Sequence, residues 1–348
     1  LLNPLLWNAA LFEFHALAFA PVFLLAMAVA YRQRRFGWFL AFLIGALAVR
    51  EDIALIVIMF GVVAVIDRWR GARISSPSQK RGSERGFAWI AAPIILGITW
   101  FLIASHVAAA HNLAGHYKYL IYYGWLGDSL PAVFVGAMVH PLRVLGHLFA
   151  LGNLDMFLGL TMPFAFLALL RPKWLLLTLP PLAAVLLNAA GGSDLIMSLH
   201  YNLLFLPALA LASMDAFFAW RAGGMVRLWT WIARRLPGSP HAVAIIALVW
   251  VLAAAWMLGP FSGIARIIVH GASAGDRARR AAYESILAQV PRDAGVAASY
   301  AALPHLAARK MIANIASAYL GVTQFAERPY VLPVEVTTLV IDARDARS

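Results

Sequence analysis

The stretch FGWFLAFLIGALAVREDIALIVIMFGVVAVI, Phe36–Ile66, constrains the fold more than any other part of the chain. Its apolar arms, Phe36–Val49 and Ile53–Ile66, have 14 residues each and flank three consecutive charges, Arg50-Glu51-Asp52. A helix that crosses a bilayer needs about 20 residues, so the stretch is too short for two full crossings and too long for one. It predicts a hairpin of two short helices with the charges at its tip. Ionisable groups at that depth are costly and by default mark a functional site.

The composition around this stretch is typical of a membrane protein. Of 348 residues, 62% are hydrophobic and 13% are charged, and the mean hydropathy is +0.78, whereas about 25% of the residues in a soluble domain are charged. The chain has no cysteine, which excludes disulfides and thiolate metal sites. The net charge of +12 fits positive-inside loops and anionic lipid headgroups. Membrane lipids are therefore the expected partners, and nucleic acid is not expected.

Basic residues assign the two sides of the membrane. They are concentrated at 32–35, 68–85, 171–173 and 221–235, whereas the alternate short loops carry Arg50, Lys118 and Arg143. Because cytoplasmic loops are enriched in Lys and Arg, the four basic clusters are predicted to be cytoplasmic, and the hairpin tip then lies at or below the outer surface. Six further apolar runs are the expected spans: Phe14–Tyr31, Phe87–Ser105, Met156–Leu170, Trp174–Asn188, Tyr201–Trp220 and Ala242–Leu258. The predicted fold is an all-α polytopic membrane protein with about six full spans and one short-helix hairpin.

The sequence changes character from about Gly271. Asp276–Val290 has helical spacing with many charges, Val296–Tyr300 and Val336–Ile341 resemble short strands, and His305–Ile315 fits a helix between them. The sequence therefore predicts two domains: a transmembrane helical domain at residues 1–270 and a small α/β module at 271–348. The parity of the spans places this module outside the cytoplasm.

Two groups of ionisable residues are predicted on the outer side. Glu13 and His15 lie at the outer end of the first run, where they could bind a metal, move protons or hold a sugar hydroxyl, or only cap the helix at the interface. In the hairpin tip, Arg50 is suited to hold a phosphate, and Glu51 or Asp52 to act as a base or metal ligand. The alternative is a self-neutralising cluster that stabilises the hairpin.

The remaining candidates have strong structural alternatives. Pro131–Ala150 is predicted to be an outer interfacial helix with Arg143 on its polar face, where packing competes with contact to a lipid phosphate. His200 and Tyr201 open a run and could cap it or line a site. His305 and Arg309 fall at i, i+4 on one helical face in the tail, where solvation is the default. Nucleotide-binding, dinucleotide and HExxH motifs are absent from the sequence, so nucleotide hydrolysis and redox-cofactor chemistry have no support.

Several of these features occur in the same order in one known family. The matching segments are Phe12-Glu13-Phe14-His15, Arg50-Glu51-Asp52, Tyr123-Gly124-Trp125-Leu126-Gly127, His200-Tyr201 with Pro207, Pro304-His305-Leu306 with Arg309, and Val340-Ile341-Asp342. The chain thereby resembles the bacterial membrane proteins grouped as domain of unknown function 2079. Two positions depart from the family pattern, since Ala16 replaces a proline and Glu13 replaces an aspartate.

The resemblance has consequences for function and for the extent of the chain. The family is similar to C-type glycosyltransferases and has further helices and an acidic outer loop before this point. The resemblance therefore implies that an N-terminal part is missing and that the catalytic carboxylate could lie in it. It implies an enzyme that uses a polyprenyl-phosphate-linked sugar on the outer side, with a divalent cation left open as cofactor. A transporter or flippase and a non-catalytic scaffold of envelope assembly are the competing functions.

Overall fold

The computed structural model describes residues 3–12, 15–74, 83–111, 118–189, 200–221, 240–271, 273–321 and 329–342. The protein is mostly helical, with one small sheet of three strands. Two compact units divide the chain. The first contains residues 1–107 and 122–263, and the second contains residues 108–121 and 264–348.

Helices dominate the chain up to residue 270. They are α1 (Pro4–Phe12), α2 (Ala20–Arg32), α3 (Phe36–Leu47), α4 (Ile53–Ile74), α5 (Ser83–His111), α6 (Leu130–Val139), α7 (Pro141–Leu148), α8 (Leu151–Thr161), α9 (Leu179–Leu186), α10 (Leu206–Arg221), α11 (Pro240–Leu258) and α12 (Phe261–His270). The predicted hairpin is present as α3 and α4. Arg50, Glu51 and Asp52 lie in the turn between them, and their carbonyl groups accept hydrogen bonds from the first backbone N–H groups of α4.

The core of the first unit forms between α1–α4, α10 and the 3₁₀ segments that precede α9 and α10. Its largest fully buried side chains include Trp174, Phe39, Phe60 and Phe205. Phe39 and Phe60 pack edge to face with ring centroids 6.3 Å apart, and Phe60 packs in the same way on Trp174 at 5.8 Å. These aromatic contacts, favourable beyond the area they bury, fix the short α3 and α4 against the rest of the unit.

Glycines allow α4 and α5 to pack closely along their length. A Cβ at Gly97 of α5 would lie 3.0 Å from the carbonyl oxygen of Ala54, and a Cβ at Gly61 of α4 would lie 3.1 Å from that of Ile90. Small residues at a helix crossing let two backbones approach in this way. Because Ala54 is two residues from Asp52, the charged turn lies level with the part of α5 around Gly97.

Several helices are shorter than the predicted spans. Among the described residues, α5 alone has a segment long and apolar enough to cross a membrane by itself, Gly86–His111, and the bent pair α6–α7 passes the same test only if it counts as one span. Several predicted spans are interrupted. Met156–Leu170 consists of α8 and two 3₁₀ segments, and Trp174–Asn188 starts as 3₁₀ helix before α9. Prolines inside these runs, at 163, 180 and 181, remove backbone donors and break regular helix.

The single helix predicted at Pro131–Ala150 is wrong, because α6 and α7 meet at an angle of 93°. The break lies at His140, which has φ −114° and ψ 54°. Its neighbour Pro141 explains the break, since a residue before proline is disfavoured in the α-helical region. The apolar side chains of this corner are strongly exposed, with Leu142 and Phe149 each 82% accessible.

A polar cluster connects the ends of four segments in the first unit. It comprises Tyr31 and Arg32 of α2, Asp67 of α4, Lys173 and Trp174 before α9, and Asp215 of α10, and is called the Asp67–Asp215 cluster below. Lys173 Nζ lies 3.1 Å from Asp67 Oδ1, and Asp67 also accepts a hydrogen bond from Tyr31. Asp215 pairs with Arg32 and accepts a hydrogen bond from Trp174 Nε1 at 2.6 Å.

The cluster lies at the far end of the helices from the charged turn. Along α4, Asp67 is 15 residues beyond Asp52, which corresponds to about 22 Å at the rise of an α-helix. The side chains of Arg32, Asp67, Lys173 and Asp215 carry two positive and two negative charges, and the pairing balances them. The first unit therefore has a polar end on each side of an apolar core.

The second unit contains the sheet. Strands β1 (Gly295–Ala298), β2 (Ile312–Asn314) and β3 (Val336–Val340) are parallel in the order β2-β1-β3, and β1 is buried at every position. Helix α13 (Ala274–Gln289) precedes β1, while the one-turn α14 (Leu303–Leu306) and α15 (Ile315–Leu320) flank β2. The two predicted strands are present, but the helix predicted at His305–Ile315 is wrong, because that range holds the end of α14 and β2.

Candidate functional site

The charged turn is organised by an ion pair within it. The Nε of Arg50 donates to Asp52 Oδ1 at 2.6 Å, and its Nη2 pairs with the other carboxylate oxygen, so the contact is bidentate. Such fork-to-carboxylate pairs fix the plane of both groups. Both side chains remain partly accessible, 25% for Arg50 and 30% for Asp52. The pair therefore presents an oriented guanidinium at the surface of the turn.

Two histidines predicted separately from the sequence stack on each other. The rings of His15 and His200 have centroids 3.6 Å apart and are inclined by 19°. His15 precedes the 3₁₀ segment Ala16–Phe19, which leads into α2, and His200 begins the 3₁₀ segment His200–Leu204, which leads into α10. A stacked imidazole pair can bind hydroxyl groups and relay protons.

Tyr201 connects the histidines to the charged turn. The centroid of the Tyr201 ring lies 4.4 Å from that of His200. The guanidinium carbon of Arg50 lies 5.5 Å from the same Tyr201 centroid. A cation within about 6 Å of an aromatic centroid is attracted to the ring. The contacts thus run continuously from His15 to Asp52 through three segments that are far apart in the chain.

The segment of His200 and Tyr201 is anchored by a buried amide. Asn202 is fully buried, and its Nδ2 donates to the carbonyl oxygen of Leu5 in α1 at 3.0 Å. A hydrogen bond formed away from water is expensive to break. It holds the start of the α10 segment against α1, which fixes the position of the two aromatic side chains that precede Asn202.

Tyr123 is a member of the site that sequence reasoning missed. The pKa of the Tyr123 phenol is raised to about 12. The largest cause is burial, followed by the negative charge of Asp52 and by Tyr122. The Tyr123 hydroxyl donates to the carbonyl oxygen of Ala184 at 2.6 Å. The charge of Asp52 therefore acts on the Tyr123 phenol. The Tyr-x-x-x-Gly pattern at 123–127 is the available signal, but tyrosines in an apolar chain are more often members of an interfacial aromatic belt.

The loop that carries Tyr123 is fixed to α9 and α6. Trp125 Nε1 donates to the carbonyl oxygen of Leu187 at 3.0 Å, and its ring stacks on His147 with centroids 4.7 Å apart. A Cβ at Gly136 of α6 would overlap the carbonyl oxygen of Leu126. The backbone of the loop therefore lies directly on α6, in an arrangement that only glycine permits.

Of the remaining predicted site residues, Glu51 alone is described in the charged turn. Glu13 lies outside the described residues. Glu51 is half-buried in the charged turn, and Arg143 is exposed on α7, where no described contact joins it to that turn. His305 and Arg309 belong to the second unit.

In that unit Arg309 has a structural contact. Its Nη2 donates to the carbonyl oxygens of Val290 and Pro291 at 3.0 and 3.2 Å, just beyond α13. His305 packs edge-on against Tyr283 with ring centroids 5.9 Å apart. The substrate-binding roles of both residues stay predictions.

Within the described part of the chain, no group of three or more His, Cys, Asp or Glu side chains is placed to hold a metal ion. Glu13, the acidic residue nearest to His15 in sequence, lies outside that part. The arrangement that the structure does describe, an arginine–carboxylate pair beside aromatic rings, suits a phosphate or a hydroxyl-bearing ligand.

The comparisons with known proteins identify the family alone. No curated protein and no solved structure matches the chain. Residues 1–333, nearly the whole sequence, match the sequence model of a family described as predicted membrane protein (DUF2079). The chain is therefore a membrane protein that belongs to the family of domain of unknown function 2079.

Proposed function

We propose that the protein is a glycosyltransferase of the C type that uses a polyprenyl-phosphate sugar at the outer side of the bacterial cytoplasmic membrane. The observation that carries the proposal is the continuous cluster of His15, His200, Tyr201, Arg50 and Asp52. A stabilising ion pair between Arg50 and Asp52 would not require two stacked histidines and a tyrosine from distant segments. Such convergence of polar and aromatic groups in a membrane protein is typical of a ligand site.

The geometry suggests a division of roles within the turn. Asp52 holds Arg50 in a bidentate contact, which orients the guanidinium for the donor phosphate. Asp52 thereby acts as the orienting carboxylate, and Glu51, the other carboxylate of the turn, is proposed as the general base. His15, His200 and Tyr201 would contact the sugar, whose hydroxyl groups and ring face suit imidazoles and an aromatic side chain. Where a further carboxylate precedes this chain, Glu51 would assist it.

The proposed reaction is a displacement at the anomeric carbon. The acceptor hydroxyl oxygen forms a bond to that carbon while its proton passes to the carboxylate. The bond from the same carbon to the phosphate oxygen breaks, and polyprenyl phosphate leaves with the electron pair. Arg50 stabilises the charge that develops on the departing phosphate. Several crossings of the membrane and an outer location for the second unit belong to this proposal.

The experiment compares glycolipids of a deletion strain that is complemented with wild-type protein or with Glu51→Gln, Asp52→Asn or Arg50→Lys. We expect the deletion to remove or shorten a glycolipid, and the three variants to fail to restore it while inserting normally into the membrane. Glu284→Gln is the matched control, because that carboxylate is exposed in the second unit and pairs with Arg280 on the same helix. An unchanged lipid profile in the deletion strain would contradict glycosyl transfer and favour a scaffold.

A transporter or flippase is the second candidate, and one observation favours it. The sequence analysis placed the ionisable candidate site residues on the outer side of the membrane. The Asp67–Asp215 cluster adds paired charges at the opposite end of the same helices. Transporters use such groups at both ends of a pathway. Accumulation of a lipid-linked sugar on the inner leaflet of the deletion strain, with its chemical structure unchanged, would support this candidate over the transferase.

A further inference from the structure

A pocket in the second unit lies at the edge where ligands bind in parallel sheets. Ser299 follows β1 and Asp342 follows β3, and these strands are neighbours in the sheet. The backbone N–H of Asp342 donates to Ser299 Oγ at 2.8 Å, and Ser299 is 3% exposed. In open α/β sheets, ligands bind outside the carboxyl ends of the strands. The hydrogen bond fixes Asp342 at that end.

The pocket has a volume of about 240 Å³ and lies between α13 and the end of β3. Arg279, Tyr283 and Ile286 follow one another at helical spacing, so one face of α13 forms one wall. Val340 and Asp342 form the opposite wall. Pockets for drug-sized ligands are usually about 300–1,000 Å³, so the volume suits a ligand no larger than a single substituted ring.

The polar groups of the pocket favour a neutral ligand with hydroxyl groups. Arg279 Nη2 lies 2.9 Å from Asp342 Oδ2, and the Asp342 side chain is 14% exposed. Asp342 itself lines this small pocket, so its negative charge would lie against an anion such as phosphate and disfavour it. A hydroxyl-bearing ligand instead donates to the carboxylate and accepts from the guanidinium without separating them. The ring of Tyr283 and the aliphatic Ile286 offer apolar surface for the C–H face of a sugar.

We infer that the pocket between Arg279, Tyr283 and Asp342 binds a monosaccharide unit. The inference rests on the second unit alone. It holds whether the helical unit transfers sugars, moves lipids or has neither activity, and a failure of the proposed transferase chemistry would leave it unaffected.

The test uses the whole protein in lipid nanodiscs and saturation-transfer NMR with free glucose, galactose, mannose and N-acetylglucosamine. We expect a saturation-transfer signal, which reports binding, for at least one of the sugars, with a dissociation constant in the millimolar range. Asp342→Asn and Arg279→Gln are expected to weaken that binding at least tenfold. Glu284→Gln, on an exposed part of α13 outside the pocket wall, is expected to leave it unchanged.

Arg279→Gln separates a loss of binding from a loss of folding. The Arg279 side chain is 53% exposed, so its replacement is not expected to unfold the unit. Absence of a saturation-transfer signal for all four sugars would overturn the inference. Equal saturation-transfer signals in the wild type and both pocket variants would also overturn it, because the sugar would then bind elsewhere. Binding of inorganic phosphate that is lost in Arg279→Gln would replace the monosaccharide with an anion.

Discussion

Replacing Gly136 with alanine tests whether the loop of Tyr123 is fixed by direct backbone packing. A Cβ at Gly136 would overlap the carbonyl oxygen of Leu126, and a Cβ at Gly127 would lie 2.6 Å from the carbonyl carbon of Ala132. Both obstacles are main-chain atoms, which cannot rotate away as a side chain does. The substitution must therefore move either α6 or the loop.

The expected change in stability has two parts. Inserting a methyl group into a packed contact typically costs about 1–3 kcal/mol, and rigid main-chain atoms favour the upper half of that range. Alanine in a helix recovers about 1 kcal/mol relative to glycine. Gly136→Ala is therefore expected to be less stable than wild type by roughly 1–2 kcal/mol. At Gly146, on α7, no described atom lies within 4 Å of the place that a Cβ would take, so Gly146→Ala should be stabilised by about 0.5–1 kcal/mol.

The assay is thermal unfolding of both variants in the same nanodisc preparation. For a unit of this size, each kcal/mol shifts the midpoint by about 2–4 °C, so Gly136→Ala should melt several degrees below Gly146→Ala. A Gly136→Ala protein that melts at or above the Gly146→Ala midpoint would show that the loop does not lie on α6. The position assigned to Tyr123 would then lose its support.

Three further predictions concern the core, the site and the orientation. Trp174→Ala removes a side chain that is 1% exposed and should lower the free energy of unfolding by about 3–5 kcal/mol. Trp38→Ala, at a position that is 59% exposed, should lower it little. Equal losses of stability in urea unfolding would contradict the assigned core. Since the folded-state pKa of Tyr123 is raised to about 12, its contribution to stability is complete below the ordinary tyrosine pKa of about 10 and is lost as the pH rises through the folded value. Tyr123→Phe should therefore lose less stability over that alkaline range, and an unchanged pH slope would contradict the raised pKa. Because the chain has no cysteine, Asp128→Cys and Gln33→Cys give clean single labels, and Asp128 is exposed in the loop before α6. An impermeant maleimide should reach position 128 in intact cells and position 33 only after permeabilisation, and the reverse pattern would invert the topology.

The sequence was sufficient to locate the charged turn. Three adjacent charges between apolar arms too short to cross a bilayer leave few conformations other than a turn between two helices, and α3 and α4 adopt that arrangement. The strands β1 and β3 were equally predictable, because Val296–Tyr300 and Val336–Ile341 are short runs of small, β-branched and apolar residues that begin just after turn residues. Local composition determines these elements.

Elements that depend on distant contacts could not be predicted. No spacing rule relates His15 to His200, because their stacking depends on how α1, α2 and the segment before α10 pack. The stretch His305–Ile315 has helical spacing, yet Ile312–Asn314 pairs with β1 as a strand. Strand formation depends on the partner more than on local preference. The same limit explains the missed Asp67–Asp215 cluster, whose members come from four separate segments.

The packing of α4 on α5 determines how deep the charged turn lies. The segment Gly86–His111 has 26 residues and a length of about 39 Å, enough to cross the hydrocarbon core of about 30 Å. Gly97, near its middle, contacts Ala54 at the start of α4, and α5 continues 14 residues further to His111, or about 21 Å. If α5 crosses the bilayer, Arg50, Glu51 and Asp52 lie well below the outer surface. At that depth the Arg50–Asp52 pair and the Tyr201 ring offset the cost of burying the charge. A lipid-linked phosphate would then reach Arg50 from within the membrane, which is the geometry that the proposed transfer requires.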